Sequence, residues 1–452
     1  MIDAVTLGVG ALVALVALIA LRMPIAYAMI LVSGLGIAWL NGSALMLNQL
    51  KTLAYGQFSI HSLSVIPMFV LMGALAAKAG LSQALFRAAD AWLGRLPGGA
   101  AMAAIAACAG FGSVCGSSLA TASTMGRVAL PELARYRYSG ALATGTLAAG
   151  GVLGILIPPS VVLIVYAIIT EANIVTMFMA AFVPGLIAVV LFLGVIALYV
   201  TLRPEAGPRG ERVSREERRA ATLGVIPVVA IFALVLGGIY AGLYNPTPAA
   251  AVGVFLVWLV GTLQGRLRLP QMIEALKETA SSSGMIYLIL LGAEMMKIFM
   301  SRIGLPQETA AWIAGSGLTP MVVLLLLLLA LIVLGCFLDS LSMILLVIPF
   351  FWPVLIELNG GIYQGAEGSG FGLSTDELNV WFGILALIVV ELGLITPPVG
   401  MNVFVISSLA KDVPMIETFK GVAPFFAAEM LRVALLLIFP GIVLFLPRLL
   451  GG

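Results

Sequence analysis

The stretches Gly154-Ile-Leu-Ile-Pro-Pro159 and Gly393-Leu-Ile-Thr-Pro-Pro398 decide the fold, because each sets a proline pair inside an apolar run of helical length. Proline has no amide hydrogen, and its ring blocks the carbonyl four residues back. Pro158 and Pro159 are therefore expected to release the carbonyls of Gly154 and Ile155, and Pro397 and Pro398 those of Gly393 and Leu394. In hydrocarbon each unpaired backbone group costs on the order of several kcal/mol, tolerable only where it lines a cavity or meets a partner. Several carbonyl oxygens converging at a helix C-terminus, with its partial negative charge, form a hard-oxygen cage suited to Na⁺. Thr396 can add a hydroxyl oxygen, and the glycines allow close backbone approach.

The rest of the chain supports a membrane setting. Its 452 residues are 62% hydrophobic and 10% charged, whereas soluble domains are about 45–50% apolar and about 25% charged. Runs such as Met321–Phe337 have the length needed for a hydrocarbon layer of roughly 30 Å. The expected class is an all-α polytopic membrane protein. Cys108, Cys115 and Cys336 lie in apolar segments without pairing or metal-ligand spacing, which argues against a disulfide framework. The beginning, MIDAVTLGVG, has no basic n-region, so Val5–Leu21 is expected to be retained as a span. No P-loop, HExxH or nucleophile–base pair is visible, which disfavours ATP hydrolysis and intramembrane catalysis. No nucleic-acid partner is expected.

Hydropathy places spans near 3–21, 24–40, 61–79, 140–171, 176–201, 221–243, 247–264, 280–301, 379–410 and 422–447. Two further apolar stretches, 97–134 and 316–357, are broken near their middles by small polar residues. The connection 202–220 carries six Arg against four Glu and is read as cytoplasmic. Counting outward, 97–134 has cytoplasmic flanks (Arg87, Arg95, Arg127, Arg135, Arg137), while 316–357 sits in a region without Lys or Arg and precedes an acidic outer loop. Each reads as a re-entrant hairpin with its tip near mid-membrane.

An internal repeat follows. Pro24 and Pro248 are as far apart as Gly80 and Gly304, and Gly112 and Gly335 are one residue closer. Gly154-x-x-x-Pro-Pro and Gly393-x-x-x-Pro-Pro are further apart because the acidic loop intervenes. Opposite charge bias on equivalent loops implies inverted halves, a construction shared by many secondary transporters. The expected organisation is scaffold helices in 1–60, hairpin 97–134 and broken helix 140–171 within 61–201, the loop 202–220, scaffold helices in 221–279, then hairpin 316–357 and broken helix 379–410 within 280–447.

At the first tip, Gly112-Ser-Val-Cys-Gly-Ser-Ser118, Gly116 can end the incoming helix and Ser117 or Ser118 can cap the outgoing one. Amides freed at that helix start suit a carboxylate. The second tip, Gly335-Cys-Phe-Leu-Asp-Ser340, sets Asp339 in an apolar run, either as a cap or as a group serving cation or substrate. Ser117, Asp339, Ser340 and Asn402 are the substrate-facing residues of this reading. Glu391 can support the cation site or pair with a neighbour; Glu294 with Lys297 and Glu429 with Arg432 have the spacing for mutual neutralisation.

The stretches IPMFVLMG (66–73), CGSSLATAS (115–123), GILIPPS (154–160), GGIYAGLYNPTPAAAVG (237–253) and GLITPPVGMNVFV (393–405) resemble the large membrane subunit of tripartite ATP-independent periplasmic (TRAP) transporters. The resemblance covers nearly the whole chain. It implies Na⁺ symport of an organic acid anion across the bacterial inner membrane, with an elevator-type transport domain. It also implies two partners: a small four-helix membrane subunit, here a separate chain, and a periplasmic substrate-binding protein. Family sodium ligands carried over by motif fall on Cys115, Ser118, Gly154, Ile157 and Pro158 for one site, and on Gly335, Gly393, Thr396 and Val399 for the other. Cys115 stands where the family usually has Ser, and Pro248 where it usually has Glu. The rival expectation is a stand-alone Na⁺- or H⁺-coupled dicarboxylate carrier.

Overall fold

The computed structural model describes residues 4–210, 213–362 and 364–450; the start of the span expected at 3–21, and Glu211 and Arg212 of the charged connection, lie outside them. The described chain is helical throughout. It contains seven helices long and apolar enough to cross a membrane, or eight if the bent pair Gly140–Leu156 and Val161–Thr170 is counted as one span.

The two halves run through the same order of elements. The first half has Ala4–Ala20, Ile25–Asn41, Ser43–Phe58, Val65–Lys78 and Leu81–Leu93. It continues through the hairpin Gly99–Cys115/Ser118–Arg135, the broken pair Gly140–Leu156/Val161–Thr170, and Ile174–Leu202. The second half has Arg215–Tyr240, Pro246–Leu263, Leu269–Ile303 and Leu305–Gly315. The hairpin Pro320–Gly335/Ser340–Leu358, the pair Thr375–Gly393/Met401–Leu409, and Met415–Ile438 with Gly441–Leu450 complete it.

Three differences from the hydropathy reading have local causes. Ser43–Phe58, Leu81–Leu93 and Leu305–Gly315 were not among the expected spans, because they are short or mix polar with apolar residues. Leu269–Ile303 is one helix of 35 residues, running unbroken through the boundary placed between 279 and 280. Its first-half counterpart is interrupted at residues 59–64. There the Ser59 and Ser64 hydroxyls each donate to a backbone carbonyl at 2.6 Å, the competition by which serine disfavours a continuing helix. The span expected at 422–447 ends at Ile438 and restarts at Gly441, because Pro440 cannot continue the ladder.

The halves interlock rather than merely abut. Each hairpin's incoming helix packs on the first part of its own broken helix: Gly99–Cys115 on Gly140–Leu156, and Pro320–Gly335 on Thr375–Gly393. Each outgoing helix packs on the second part of the other half's broken helix: Ser118–Arg135 on Met401–Leu409, and Ser340–Leu358 on Val161–Thr170. A buried hydrogen-bond set closes the junction. The Tyr166 hydroxyl donates to the Asn379 carbonyl and side-chain oxygens at 2.9 Å, and Asn379 Nδ2 donates to Thr170 O at 3.1 Å. Both hairpin tips thereby arrive at the middle of the molecule.

Candidate functional site

The first tip is shaped by glycine and serine. Helix Gly99–Cys115 ends at Gly116, whose φ of +65° is left-handed and suits a residue without Cβ. Ser117 caps the next helix, its Oγ accepting the Ala120 amide at 3.4 Å. The cap is therefore Ser117, which leaves the Ser118 hydroxyl to turn inward and donate to Glu391 Oε2. The second tip repeats the design with a different cap. Asp339 accepts the Ser342 amide at 3.2 Å and the Ser342 hydroxyl, and Ser340, the next residue, donates to Glu391 Oε1. A single buried carboxylate thus joins the two tips.

Each tip rests on its own proline break through a glycine–glycine contact. A Cβ on Gly112 would strike Cα of Gly154, and one on Gly335 would lie 3.2 Å from Cα of Gly393. A Cβ on Gly116 would lie 3.2 Å from the Val161 amide nitrogen and 3.3 Å from the Pro159 carbonyl oxygen. Both proline–proline bonds are cis.

The two breaks differ in their hydrogen bonding. Among the described residues no backbone amide donates to the carbonyl of Gly154 or Ile155. Thr121 Oγ1, beside Gly154, is buried without a hydrogen-bond partner. At the second break the expectation of two bare carbonyls needs correction. Gly393 O accepts the Thr396 amide and Leu394 O the Asn402 amide, each at 3.0 Å. The cause is local: residues 394–396 continue as tight turns, and Gly400, at φ +58°, reverses the chain so that the Asn402 amide meets Leu394. A carbonyl has two lone pairs, so each keeps one acceptor position. The Thr396 hydroxyl donates to Leu392 O at 2.6 Å, and its oxygen likewise keeps acceptor capacity.

Between the tips lies a cavity of about 270 Å³. Residues Cys115–Ala120 of the first tip, Asp339–Leu341 of the second, and Glu278, Ser282, Met285 and Ile286 of helix Leu269–Ile303 line it. Through Ala77 and Thr124 it adjoins a basin of about 840 Å³ that carries Lys78, Arg87, Arg127 and Arg135 beside Asp90, Glu132 and Glu217. Lys78 stands at the junction, 3.1 Å from Glu274 and 3.8 Å from Glu278. Burial, and next the neighbouring Glu132 carboxylate, hold Asp90 above the usual carboxylate range.

The residues singled out from sequence therefore separate into groups. Cys115, Ser117, Ser118, Asp339 and Ser340 meet at the cavity. Gly154, Ile157 and Pro158 are buried behind the first tip, and Gly335 and Gly393 touch each other behind the second. Thr396 is half-buried and Val399 is exposed. Asn402 is away from the cavity lining. It is fully buried against the first broken helix, donating through Nδ2 to Ala148 O at 3.3 Å. Glu429 and Arg432 do form a buried ion pair, and Arg432 Nη1 also donates to Pro184 O at 3.1 Å. Lys297 lies 3.8 Å from Glu294 and 3.6 Å from Glu171.

Sequence reasoning left Glu391 as support for the cation site or a pairing partner and did not place it between the tips, although a lone acid in the run 378–395 is by itself a pointer to function. It missed Glu278 and Ser282: Glu278 falls outside the span read as 280–301, and neither carries a motif. Thr121 was hidden among the small residues of the tip.

This arrangement of interlocked helices around a central cavity between two hairpin tips defines a multi-pass membrane permease. The chain belongs to the family described as tripartite ATP-independent periplasmic transporter, DctM component, which it matches over residues 12–442. It is 32% identical to the C4-dicarboxylate TRAP transporter large permease protein DctM of Pseudomonas aeruginosa, over 86% of this chain and 87% of that one. To the sialic acid TRAP transporter large permease protein SiaM of Vibrio cholerae it is 30% identical, over 98% and 99%. It is 29% identical to the isethionate TRAP transporter permease protein DctMQ of Oleidesulfovibrio alaskensis, over 83% of this chain and 57% of that longer one. Among solved structures, the YdaH transporter of Alcanivorax borkumensis superposes with a TM-score of 0.62 over 89% of each chain at 14% identity, a likeness of fold. The protein is accordingly an inner-membrane permease, of a family whose members work with a periplasmic binding protein and a small membrane subunit.

Proposed function

We propose that this chain is the large subunit of a Na⁺-coupled importer that takes an organic acid anion from a periplasmic binding protein, with a separate small membrane subunit enlarging its scaffold. The observation that carries the reading is the convergence of two capped helix starts on one cavity, each backed by a proline break rich in carbonyl oxygen. Helix N-termini attract carboxylate or sulfonate, and helix C-termini with spare carbonyl oxygens suit a hard monovalent cation. The relatives' names point to C4-dicarboxylates, sialic acid or isethionate, all organic acids.

In this reading Na⁺ is co-transported cargo. The first site draws on Cys115, Ser118, Gly154, Ile157 and Pro158, and the second on Gly335, Gly393, Thr396 and Val399. The acid lies between Ser117, Asp339 and Ser340. The hairpins and broken helices of both halves slide together as an elevator against the remaining helices, and the adjoining charged basin is the cytoplasmic way out.

The test begins by finding an acid that thermally stabilises the cognate binding protein. Uptake of that acid is then measured in proteoliposomes holding both membrane subunits, with binding protein added outside. Accumulation is expected only with binding protein present and an inward Na⁺ gradient. Full-rate uptake by this chain alone would favour a stand-alone carrier, and uptake indifferent to Na⁺ would remove the coupling.

A further inference from the structure

Glu391 is fully buried, and its two oxygens are shared between the halves of the molecule: Oε2 accepts from Ser118 and Oε1 from Ser340. Ser118 and Ser340 hold the same place, the first helical residue after the cap of each hairpin's outgoing helix. Glu391 has no such twin. The residue two places before Gly154, as Glu391 is before Gly393, is the buried Val152. Among the described residues no Lys or Arg forms an ion pair with Glu391. The nearby buried Arg432 is held by Glu429 and by the Pro184 carbonyl. Two hydroxyls and the positive starts of two helices face this carboxylate directly, with Asp339, Glu429 and Arg432 the charged groups near it.

We propose that Glu391 is a positioning residue that couples the two tips, so that ordering one favours ordering the other. This rests on the two sodium sites of the proposed function. A cation that fixes Ser118 at the first site also fixes Glu391. Glu391 in turn fixes Ser340 at the second tip, and Gly393 lies two residues further along the same helix end. The second cation then meets a site whose ordering cost has already been met. Coupling through a shared element is reciprocal, and it appears as a Hill coefficient above one.

The experiment is equilibrium binding of ²²Na⁺ to the purified complex of both membrane subunits, with choline replacing Na⁺, and no acid present. The unmodified protein is expected to bind cooperatively, with a Hill coefficient approaching two. Glu391→Gln keeps the shape but turns one of the two accepting oxygens into an amide donor, so one serine arm loses its acceptor. It is expected to lower the coefficient towards one and to raise half-saturation about tenfold, within the usual range of coupling between sites. Ser340→Ala removes one arm and leaves the Glu391–Ser118 bond in place, so cooperativity should fall while half-saturation moves less. This variant also serves if Glu391→Gln fails to assemble, and Glu391→Asp should recover part of the affinity.

A melting temperature lowered in choline with an unchanged Hill coefficient in these variants would mean a structural strut only, and would overturn the proposal. Absence of ²²Na⁺ binding by the unmodified complex would instead overturn the sodium reading, and this inference with it.

Discussion

The two proline breaks carry the same motif and sit in different surroundings. Around Pro158 and Pro159 the chain is buried from Gly154 to Val161; among the described residues the Gly154 and Ile155 carbonyls receive no backbone amide and the Thr121 hydroxyl has no partner. Around Pro397 and Pro398 the chain is exposed, with Val399 38% accessible, and the Gly393 and Leu394 carbonyls are each engaged by an amide. The shared Gly-x-x-x-Pro-Pro motif therefore leaves one break with bare carbonyls inside the molecule and the other with engaged carbonyls at its surface. An internal repeat specifies where a helix must stop. It does not specify what faces the stop, because each tip packs on elements from both halves.

Variants can break this comparison or sharpen it. The largest effect is expected at a feature of the second half only, the Glu429–Arg432 pair, where the matching first-half positions are Val190 and Leu193. Arg432→Leu strands a buried carboxylate and should cost about 3–5 kcal/mol. Replacing both partners by apolar residues should restore much of the lost melting temperature. If the single variant melts like the unmodified complex, the pair is not a buried asymmetry.

The glycine contacts come next. Gly112→Ala pushes a methyl onto the Gly154 backbone, whereas Gly335→Ala meets the Val390 carbonyl oxygen at 3.1 Å and has a little room to relax. Overpacking of this kind costs about 1–3 kcal/mol, and the first variant should lie at the upper end. Equal shifts in melting temperature would mean that the two tips are seated alike.

Hydroxyl removal at each break separates structure from ion binding. Thr396→Val loses the bond to Leu392 O, so it should lower stability by about 0.5–1.5 kcal/mol and also weaken Na⁺ dependence. Thr121→Val loses no hydrogen bond and should leave stability in choline nearly unchanged. An unchanged Na⁺ response in Thr396→Val would discredit the second site. A small loss is expected for Ser117→Ala, about 1 kcal/mol or less for a cap whose bond is long at 3.4 Å, read by thermal melting of the complex.

Much of the fold was legible because membrane helices must satisfy their own backbone and bury few charges. The hairpin turns at Gly116 and Asp339 and the stops at both proline pairs follow from backbone chemistry that any single residue reports. The short helices Ser43–Phe58, Leu81–Leu93 and Leu305–Gly315 were not legible from hydropathy, since their mixed faces carry no continuous apolar run. The continuity of Leu269–Ile303 was equally hidden, because nothing local signals that a helix fails to stop.

The site was legible in its parts and not in its assembly. The tips and breaks were named from sequence, but the choice of Ser117 as cap and the burial of Asn402 away from the cavity depended on which surfaces met. So did the contributions of Glu278 and Ser282, which come from a helix carrying no motif.

By itself the sequence determined that this is a polytopic helical membrane protein with two matching interruptions, since a missing amide, a left-handed glycine and an apolar run act within a few residues. Only the tertiary structure decided that one carboxylate, Glu391, lies between the two tips and that the first break is buried while the second reaches the surface. The physical reason is that those outcomes depend on contacts between residues hundreds of positions apart, where packing of whole helices, rather than local backbone preference, chooses each neighbour.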